Sequence, residues 1–440
     1  MNLEKTFHGV MGLDDSWEVN GVGYEEKQEK FFIVIEETSK LWDKEICPNL
    51  TCQSLGISCH DHVPTRSWRH LDAFGKRSEI LCNLPRGRCP KCSKIYRVKV
   101  PWEGRGKHFT TGFEGFALAL MRQMPVNKAS EIIGETDQRL WRVLFKHVDA
   151  AYKELDMSEV EWIGVDEMNC RKGHDYLTVF ADLLERRVLF ATEGKDSGTI
   201  EAFVEALSKH KGHPQAITQA AIDMSPAYRK GVRENLANAQ IVFDKFHVVA
   251  QVSEAVDKVR RAEVRSDEIL KKQLKGNRWI FLKNPENLTE QQQASLKELD
   301  LKNLCTGIAY QMRLNLQRIY RCIKPETAER KFKEWSEWVK RKALKVGKLL
   351  DPMVKVASMV QRHLEGILAH WKDGLTTGYM EGLNSLFSAT KRKARGFSNS
   401  VYMITMLYFV AGKLSIPTYS AHLKHRRTSF IKIRDSITLF

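Results

Sequence analysis

The sequence predicts a multidomain α/β protein, and three observations predict it. From Val160 to Glu254 short apolar runs of strand length alternate with helical stretches. Residues 255–372 then lose the alternation and read as charged helix throughout, rich in Lys, Arg, Glu and Leu. Six of the nine cysteines fall between Cys47 and Cys92, ahead of both regions, which suggests a small metal-held module. A chain of 440 residues is long enough for two or three domains. The expected division is 1–100 for a zinc-binding module, 105–150 for a helix-turn-helix and 158–254 for the first part of an α/β core. An all-α insertion over 255–372, the rest of the core over 373–415 and a basic tail over 416–440 complete it.

Residues 1–45 hold one apolar run, Phe31-Phe32-Ile33-Val34-Ile35, which reads as a strand. The start, Met1 to Asp15, carries acids and no apolar core, so it does not read as a signal peptide. Cys47-x4-Cys52, Cys59-His60, Cys82 and Cys89-Pro90-Lys91-Cys92 follow. The last pair has knuckle spacing, and two remote thiolates would complete a closed tetrahedral Zn²⁺ site. Cys47 and Cys52 are the expected partners, with Cys59 or His60 as substitutes. Cys82 sits in the apolar segment Ile80-Leu81 and reads as core. Arg66, Trp68, Arg69 and His70, then Arg86 and Arg88, interleave basic and aromatic residues as DNA phosphate contacts do. A solvated basic face is the plain alternative.

Phe113, Phe116, Ala117, Leu120 and Met121 recur at helical spacing. Pro125 interrupts, Ala129 to Ile133 forms a short helix, Gly134 turns, and Thr136 can cap a third helix over Gln138 to His147. This is a helix-turn-helix pattern, with Gln138, Arg139 and Arg142 exposed on its recognition helix.

Glu161 to Glu167, Tyr176 to Leu184 and Arg187 to Thr192 read as three strands. A helix over Ser197 to His210 and a fourth strand over Ala216 to Asp223 come next. Ser225 with Pro226 starts a helix, Gln240 to Phe243 is a fifth strand, and Asp244 opens another helix. That element order is the order of an RNase H-like domain, in which the first and fourth strands are neighbours. Asp166 and Asp223 then end up adjacent. Glu381 opens a helix running to about Lys393, with Asn384 and Ser388 roughly on its face.

A carboxylate at the tip of a buried strand is costly unless it meets a cation. Asp166, Asp223 and Glu381 around one point make a hard oxygen site suited to two Mg²⁺ or Mn²⁺ ions. Such ions would activate a water and stabilise a leaving 3′ oxygen in phosphodiester cleavage. Taken singly, each Asp is more often a turn residue or helix cap. Glu167 should point to the opposite face of its strand, and Asp244 should hold structure or DNA.

The formal net charge of +16 calls for a polyanionic partner, most simply nucleic acid. From Thr376 to Phe440 ten Lys or Arg face two acids, with Lys391, Arg392, Lys393 and Arg395 as the densest phosphate track. The longest apolar stretch, Tyr402 to Ala411, is too short to span a bilayer. The expected setting is cytoplasmic, with no membrane partner.

Several stretches carry a family resemblance. They are Ser67 to Asp72, Leu84 to Pro90, Ile163 to Glu167, Ala221 to Pro226, Val242 to Val249, Lys283 to Leu288, Glu381 to Asn384 and Lys391 to Gly396. On these the chain resembles the DDE-type transposases of bacterial insertion sequences, the ISL-three family. The resemblance implies an RNase H-like catalytic domain with a helical insertion, an N-terminal zinc ribbon and a helix-turn-helix. It implies that Asp166, Asp223 and Glu381 match the catalytic triad. It implies double-stranded DNA as partner, both terminal inverted repeats and target, with cleavage followed by strand transfer, in a nucleoid-associated bacterial protein. A homodimer or higher oligomer on DNA is the expected assembly. Two departures stand out: Cys47-x4-Cys52 is wider than the usual two-residue spacer, and Thr377-Gly378-Tyr379-Met380 replaces the usual lead-in to the Glu. The competing expectation is a domesticated, non-catalytic DNA-binding regulator, which loss of any one carboxylate would have favoured.

Overall fold

The computed structural model describes residues 3–169, 176–266, 271, 274–299, 301, 303–371, 378–394, 396–397 and 399–417, leaving out the side chains of residues 370, 381 and 393. The chain forms two compact units, Met1–Lys153 with Leu414–Phe440, and Glu154–Lys413.

The first unit begins with helix α1 (Leu3–Met11). Strands β1 (Trp17–Glu25) and β2 (Lys30–Glu37) and the short helix α2 (Lys40–Lys44) follow. Next come β3 (Ser58–His62), β4 (Arg66–Ala73), β5 (Lys76–Cys82), β6 (Pro85–Arg88) and β7 (Ile95–Arg97). They make a four-stranded sheet in the order β1-β2-β5-β4 and a three-stranded sheet β3-β6-β7. The apolar run at Phe31 to Ile35 lies in β2 as expected. Its partner β1 was not legible, because Gly21 and Gly23 dilute its alternation and the register slips between Val19 and Gly21. Trp102 meets Trp17 and Trp68 edge-on, at 5.0 and 5.8 Å between ring centres, in a core that also holds Ile35, Ile80 and Cys82.

Three helices complete the described part of this unit: α3 (Thr111–Gln123), α4 (Val126–Ile133) and α5 (Asp137–Lys153). Gly134 ends α4 at φ +71°, a left-handed conformation in which glycine is unstrained. The Thr136 hydroxyl oxygen accepts from the Arg139 N–H at 3.4 Å, so the expected cap is present.

The second unit is built on strands β8 (Trp162–Asn169), β9 (Tyr176–Asp182), β10 (Arg187–Glu193), β11 (Gln219–Ile222) and β12 (Gln240–Phe243). Helices α6 (Gly198–Lys209), α7 (Pro226–Asn235) and α8 (Lys245–Ser266) are interleaved with them. The sheet order is β10-β9-β8-β11-β12. The first three strands pair antiparallel, while β11 runs parallel to both β8 and β12. β11 is shorter than its apolar run, because Pro214–Ala216 form a turn of 3-10 helix instead. Phe180 stacks on Phe203 at 4.4 Å, fixing α6 against the sheet.

α8 runs without a break from the sheet into the helical region, so the expected boundary between residues 254 and 255 falls inside one helix. Beyond it lie α9 (Arg278–Leu282), α10 (Glu290–Glu298), α11 (Cys305–Ile319), α12 (Pro325–Val346), α13 (Asp351–Arg362) and α14 (Leu364–Leu368). Buried Glu263 of α8 accepts from the backbone N–H groups of Cys305 and Thr306, both at 2.7 Å, capping α11 from outside. Helices α15 (Gly378–Lys393) and α16 (Ser400–Ala411) close the unit. The Ala191 N–H of β10 donates to the Tyr408 hydroxyl of α16 at 3.0 Å. Among the described residues no helix is long and apolar enough to cross a membrane.

Candidate active site and metal centre

Parallel pairing of β8 with β11 sets Gly164 opposite Ala221. Two positions further along the two strands stand Asp166 and Asp223. Pairing of β11 with β12 sets Ile222 opposite Phe243, and the next residues are Asp223 and Asp244. Three neighbouring strands thus carry an aspartate at the same level of the sheet.

Asp166 has several partners. Its carboxylate accepts from the neighbouring Glu167 N–H at 2.8 Å and from the Asn384 side-chain amide. The His247 ring nitrogen lies 3.7 Å away. Burial, with the Asp244 charge adding to it, raises the Asp166 carboxyl above its ordinary value, while Asn384, the Glu167 N–H and His247 oppose the shift. Val165, Asp166, Ala221, Ile222, Asp244, His247 and Met380 line one small cleft. Asp223 accepts from the Ser225 N–H at 2.7 Å, and Asp244 accepts from the Phe246 N–H at 2.8 Å. Ser225 stands at the cap position of α7 but makes no side-chain cap bond, so the expected serine cap is replaced by this aspartate turn.

Glu167 sits in a different electrostatic neighbourhood from Asp166, as alternation along a strand requires. Burial raises its carboxyl, the Asp223 charge and then the Asp166 charge add to the rise, and Lys195 and Tyr228 oppose it. Asp223 is the largest charge acting on Glu167, and Asp244 is the carboxylate that raises Asp166. Sequence reasoning assigned no such reach to Glu167 or to His247. A signal for His247 was available: Asp244-x-x-His247 spans one helical turn at a strand-to-helix junction.

Glu381 is the fourth residue of α15, and its side chain lies outside the described residues. Its helix rides close on the sheet. A Cβ on Gly164 would fall 2.8 Å from the Met380 sulfur and 2.9 Å from a Leu183 methyl, so a side chain there would make both shift.

Four sulfurs gather in the first unit. Cys47, Cys52, Cys89 and Cys92 all lie within 4.8 Å of one another. Cys47 and Cys92 are 3.6 Å apart and Cys52 and Cys89 are 3.7 Å apart. A tetrahedral ion with Zn–S bonds of about 2.3 Å needs sulfur–sulfur edges of about 3.8 Å. The donor set fits a closed zinc site. The Cys92 N–H and the Ser54 hydroxyl donate to the Cys89 sulfur and hold its thiol down at about 6. Cys59 groups instead with Glu37 and His62.

The basic residues separate by environment. Arg69, expected at a DNA-facing surface, is only 4 % exposed. It pairs with Asp72 at 2.5 Å and lies 3.7 Å from Glu135, so its charge is neutralised inside the unit. Arg86 forms an ion pair with Asp61, and Arg139 pairs with Glu135 and lies over the Phe109 ring at 4.5 Å. Arg88, Arg142 and Arg392 are exposed. Lys391 donates to the Asn169 carbonyl at 2.6 Å. The side chain of Lys393, residue Arg395 and the tail from residue 418 lie outside the described residues.

A helix-turn-helix in one unit and a carboxylate cluster on neighbouring strands in the other define an α/β protein built to act on DNA. Residues 163–407 match the family model described as a transposase, and residues 98–148 match the helix-turn-helix domain of transposase family ISL3. The chain belongs to transposase family ISL3. It is 29% identical to the transposase for insertion sequence element IS1001 of Bordetella parapertussis, over 83% of this chain and 89% of that one. It is 26% identical to the transposase for insertion sequence element IS1557 of Mycobacterium tuberculosis, over 81% of this chain and 84% of that one. These findings favour a transposase and give no support to a non-catalytic regulator.

Proposed function

We propose that this transposase cuts and joins DNA at the carboxylate cluster of its second unit, in an RNase H-like core interrupted by a helical insertion. The first unit, with its zinc module and helix-turn-helix, reads the terminal inverted repeats. The observation that carries the reading is the shared register of β8 and β11, which brings two aspartates 57 positions apart in sequence to one level of one sheet. Asp166, Asp223 and Glu381 would hold two Mg²⁺ or Mn²⁺ ions, and those ions supply an activated water and a stabilised 3′ oxygen. The chain's own contribution is position. Asn384 and the Glu167 N–H orient Asp166, the Ser225 N–H orients Asp223, and Gly164 lets the Glu381 helix approach. Cys47, Cys52, Cys89 and Cys92 hold a structural zinc ion that fixes the loop after α2 to the β6–β7 turn. The working form is a homodimer or higher oligomer on DNA.

Cleavage of a duplex bearing the element's end, with Mg²⁺, tests this. Asp166→Asn, Asp223→Asn and Glu381→Gln should each lower cleavage by roughly 10³-fold or more while end binding persists. The two neighbouring carboxylates discriminate. Glu167→Gln and Asp244→Asn should cut more weakly than the wild type yet measurably. Ready nicking by Glu381→Gln, with Asp244→Asn inactive, would transfer the third ligand to Asp244.

A further inference from the structure

The stretch Lys283 to Leu288 has no part in the carboxylate cluster, yet Lys283 to Asn287 form one wall of a cleft in the second unit. This cleft has a volume of about 640 Å³. Its other walls are the first turns of α8 and the far half of α11. Lys245, Lys283, Arg318 and Arg321 line it, against a single acid, Glu286. Phe246 also lines it and is 56% exposed, an aromatic ring that no core claims. A turn of helix separates this cleft from the carboxylates. Phe246 donates its N–H to Asp244, while His247, the next residue, lies beside Asp166.

The polar floor is built rather than incidental. Buried Arg313, 3% exposed, donates to the Asn284 side-chain oxygen at 2.8 Å, to the Lys283 carbonyl at 3.0 Å and to the Ser253 hydroxyl at 3.1 Å. Gln317 donates to the same Asn284 oxygen at 3.1 Å. With two donors on its oxygen, the Asn284 amide is fixed, and its remaining capacity is the two N–H donors of its NH₂ group.

Cations along a groove, an exposed aromatic face and an oriented amide together match unpaired nucleic acid. Phosphates meet the cations, a base stacks on the ring, and an amide reads a base edge. A paired duplex buries its base faces and has no use for the ring. From this juxtaposition we infer that the cleft between α8, the Lys283 to Leu288 turn and α11 binds an unpaired segment of DNA strand beside the carboxylates. This deepens the proposed function and rests on it, since strand separation at the element's end would supply such a segment.

Fluorescence anisotropy on the full-length protein in EDTA tests it without any cleavage. The probes are a blunt duplex and the same duplex with an unpaired dT arm of about ten nucleotides. The wild type should bind the armed duplex about ten-fold more tightly, the scale of one or two stacked bases. Phe246→Ala and Arg321→Ala, both at exposed positions, should bring that ratio close to one and leave blunt-duplex binding within about two-fold. A wild type without arm preference overturns the inference. So does a preference that survives both substitutions, or an equal loss on both probes. Asp166→Asn should keep the preference, so failure of the catalytic assignment and failure of the cleft are read separately.

Discussion

Arg69 illustrates what charge pattern alone conveys at the scale of single residues. Its sequence neighbourhood, Arg66 to His70 around Trp68, looks like a phosphate-contacting surface, but β4 turns Arg69 inward against Glu135 in the turn between α4 and α5. Trp68 and Arg69 are consecutive, so they face opposite sides of β4, yet both are buried, and the local sequence does not say that both faces are covered. Arg69→Ala leaves Glu135, 3% exposed at its side chain, with less compensation in a dry site. The expected cost is about 3 kcal/mol of stability. Urea unfolding should report it, while DNA affinity of the still-folded variant stays within about two-fold of the wild type. A large loss of affinity without loss of stability would restore Arg69 to the DNA surface. The cysteines were easier to read, because metal-ligand spacing is local: Cys89-x-x-Cys92 needs only a tight turn. Pairing with Cys47 and Cys52 was an expectation from clustering, and the sulfurs do gather. Glu167 was not legible in its surroundings, since Asp223 lies on a strand distant in sequence; His247 carried a local signal in its spacing from Asp244, but its approach to Asp166 did not show.

One of the contacts between strand and helix has a chemistry that depends on pH. Thr110 caps α3, its oxygen accepting from the Phe113 N–H at 3.3 Å. The same oxygen lies 2.9 Å from His70 Nδ1 on β4, and its hydroxyl hydrogen can donate there only while that nitrogen is unprotonated. Burial first, and the Arg69 charge second, lower the His70 pKa to about 4 from its ordinary 6.5. The folded form therefore binds fewer protons than the unfolded form between those values, and stability rises with pH across that window. Above 6.5 both forms are neutral and the dependence on pH vanishes. Unfolding measured from pH 7 to pH 4 should show a steeper loss for the wild type than for His70→Gln. Equal slopes would show that His70 is not the titrating group. Elements themselves were largely legible where periodicity was strong, as in α5 and β12. β1 was not, because glycines erase the alternation that marks a strand.

At the scale of the whole molecule, the two units carry separable tasks. Residues 154–413 should fold without the first unit, since they hold a core of their own. That fragment should lose specific binding to the element's ends yet keep weak, salt-sensitive binding, measured as footprinting on end DNA against affinity for unrelated duplex. A clear footprint by the fragment would put base reading in the second unit. The sheet neighbours β8 and β11 were legible from element order, because right-handed crossover rules leave few ways to arrange five strands. The continuity of α8 was not, since composition changes along a helix without ending it. That continuity has a consequence for how such a gene can change over time. Each residue in a helix turns the chain by about 100° and advances it by about 1.5 Å. Loss or gain of a single codon between Val249 and Arg260 would rotate the helices beyond it against the sheet, moving Glu263 away from the end of α11. Substitutions can accumulate on the exposed face of α8, but a change of length within it has to come in whole turns or be answered elsewhere.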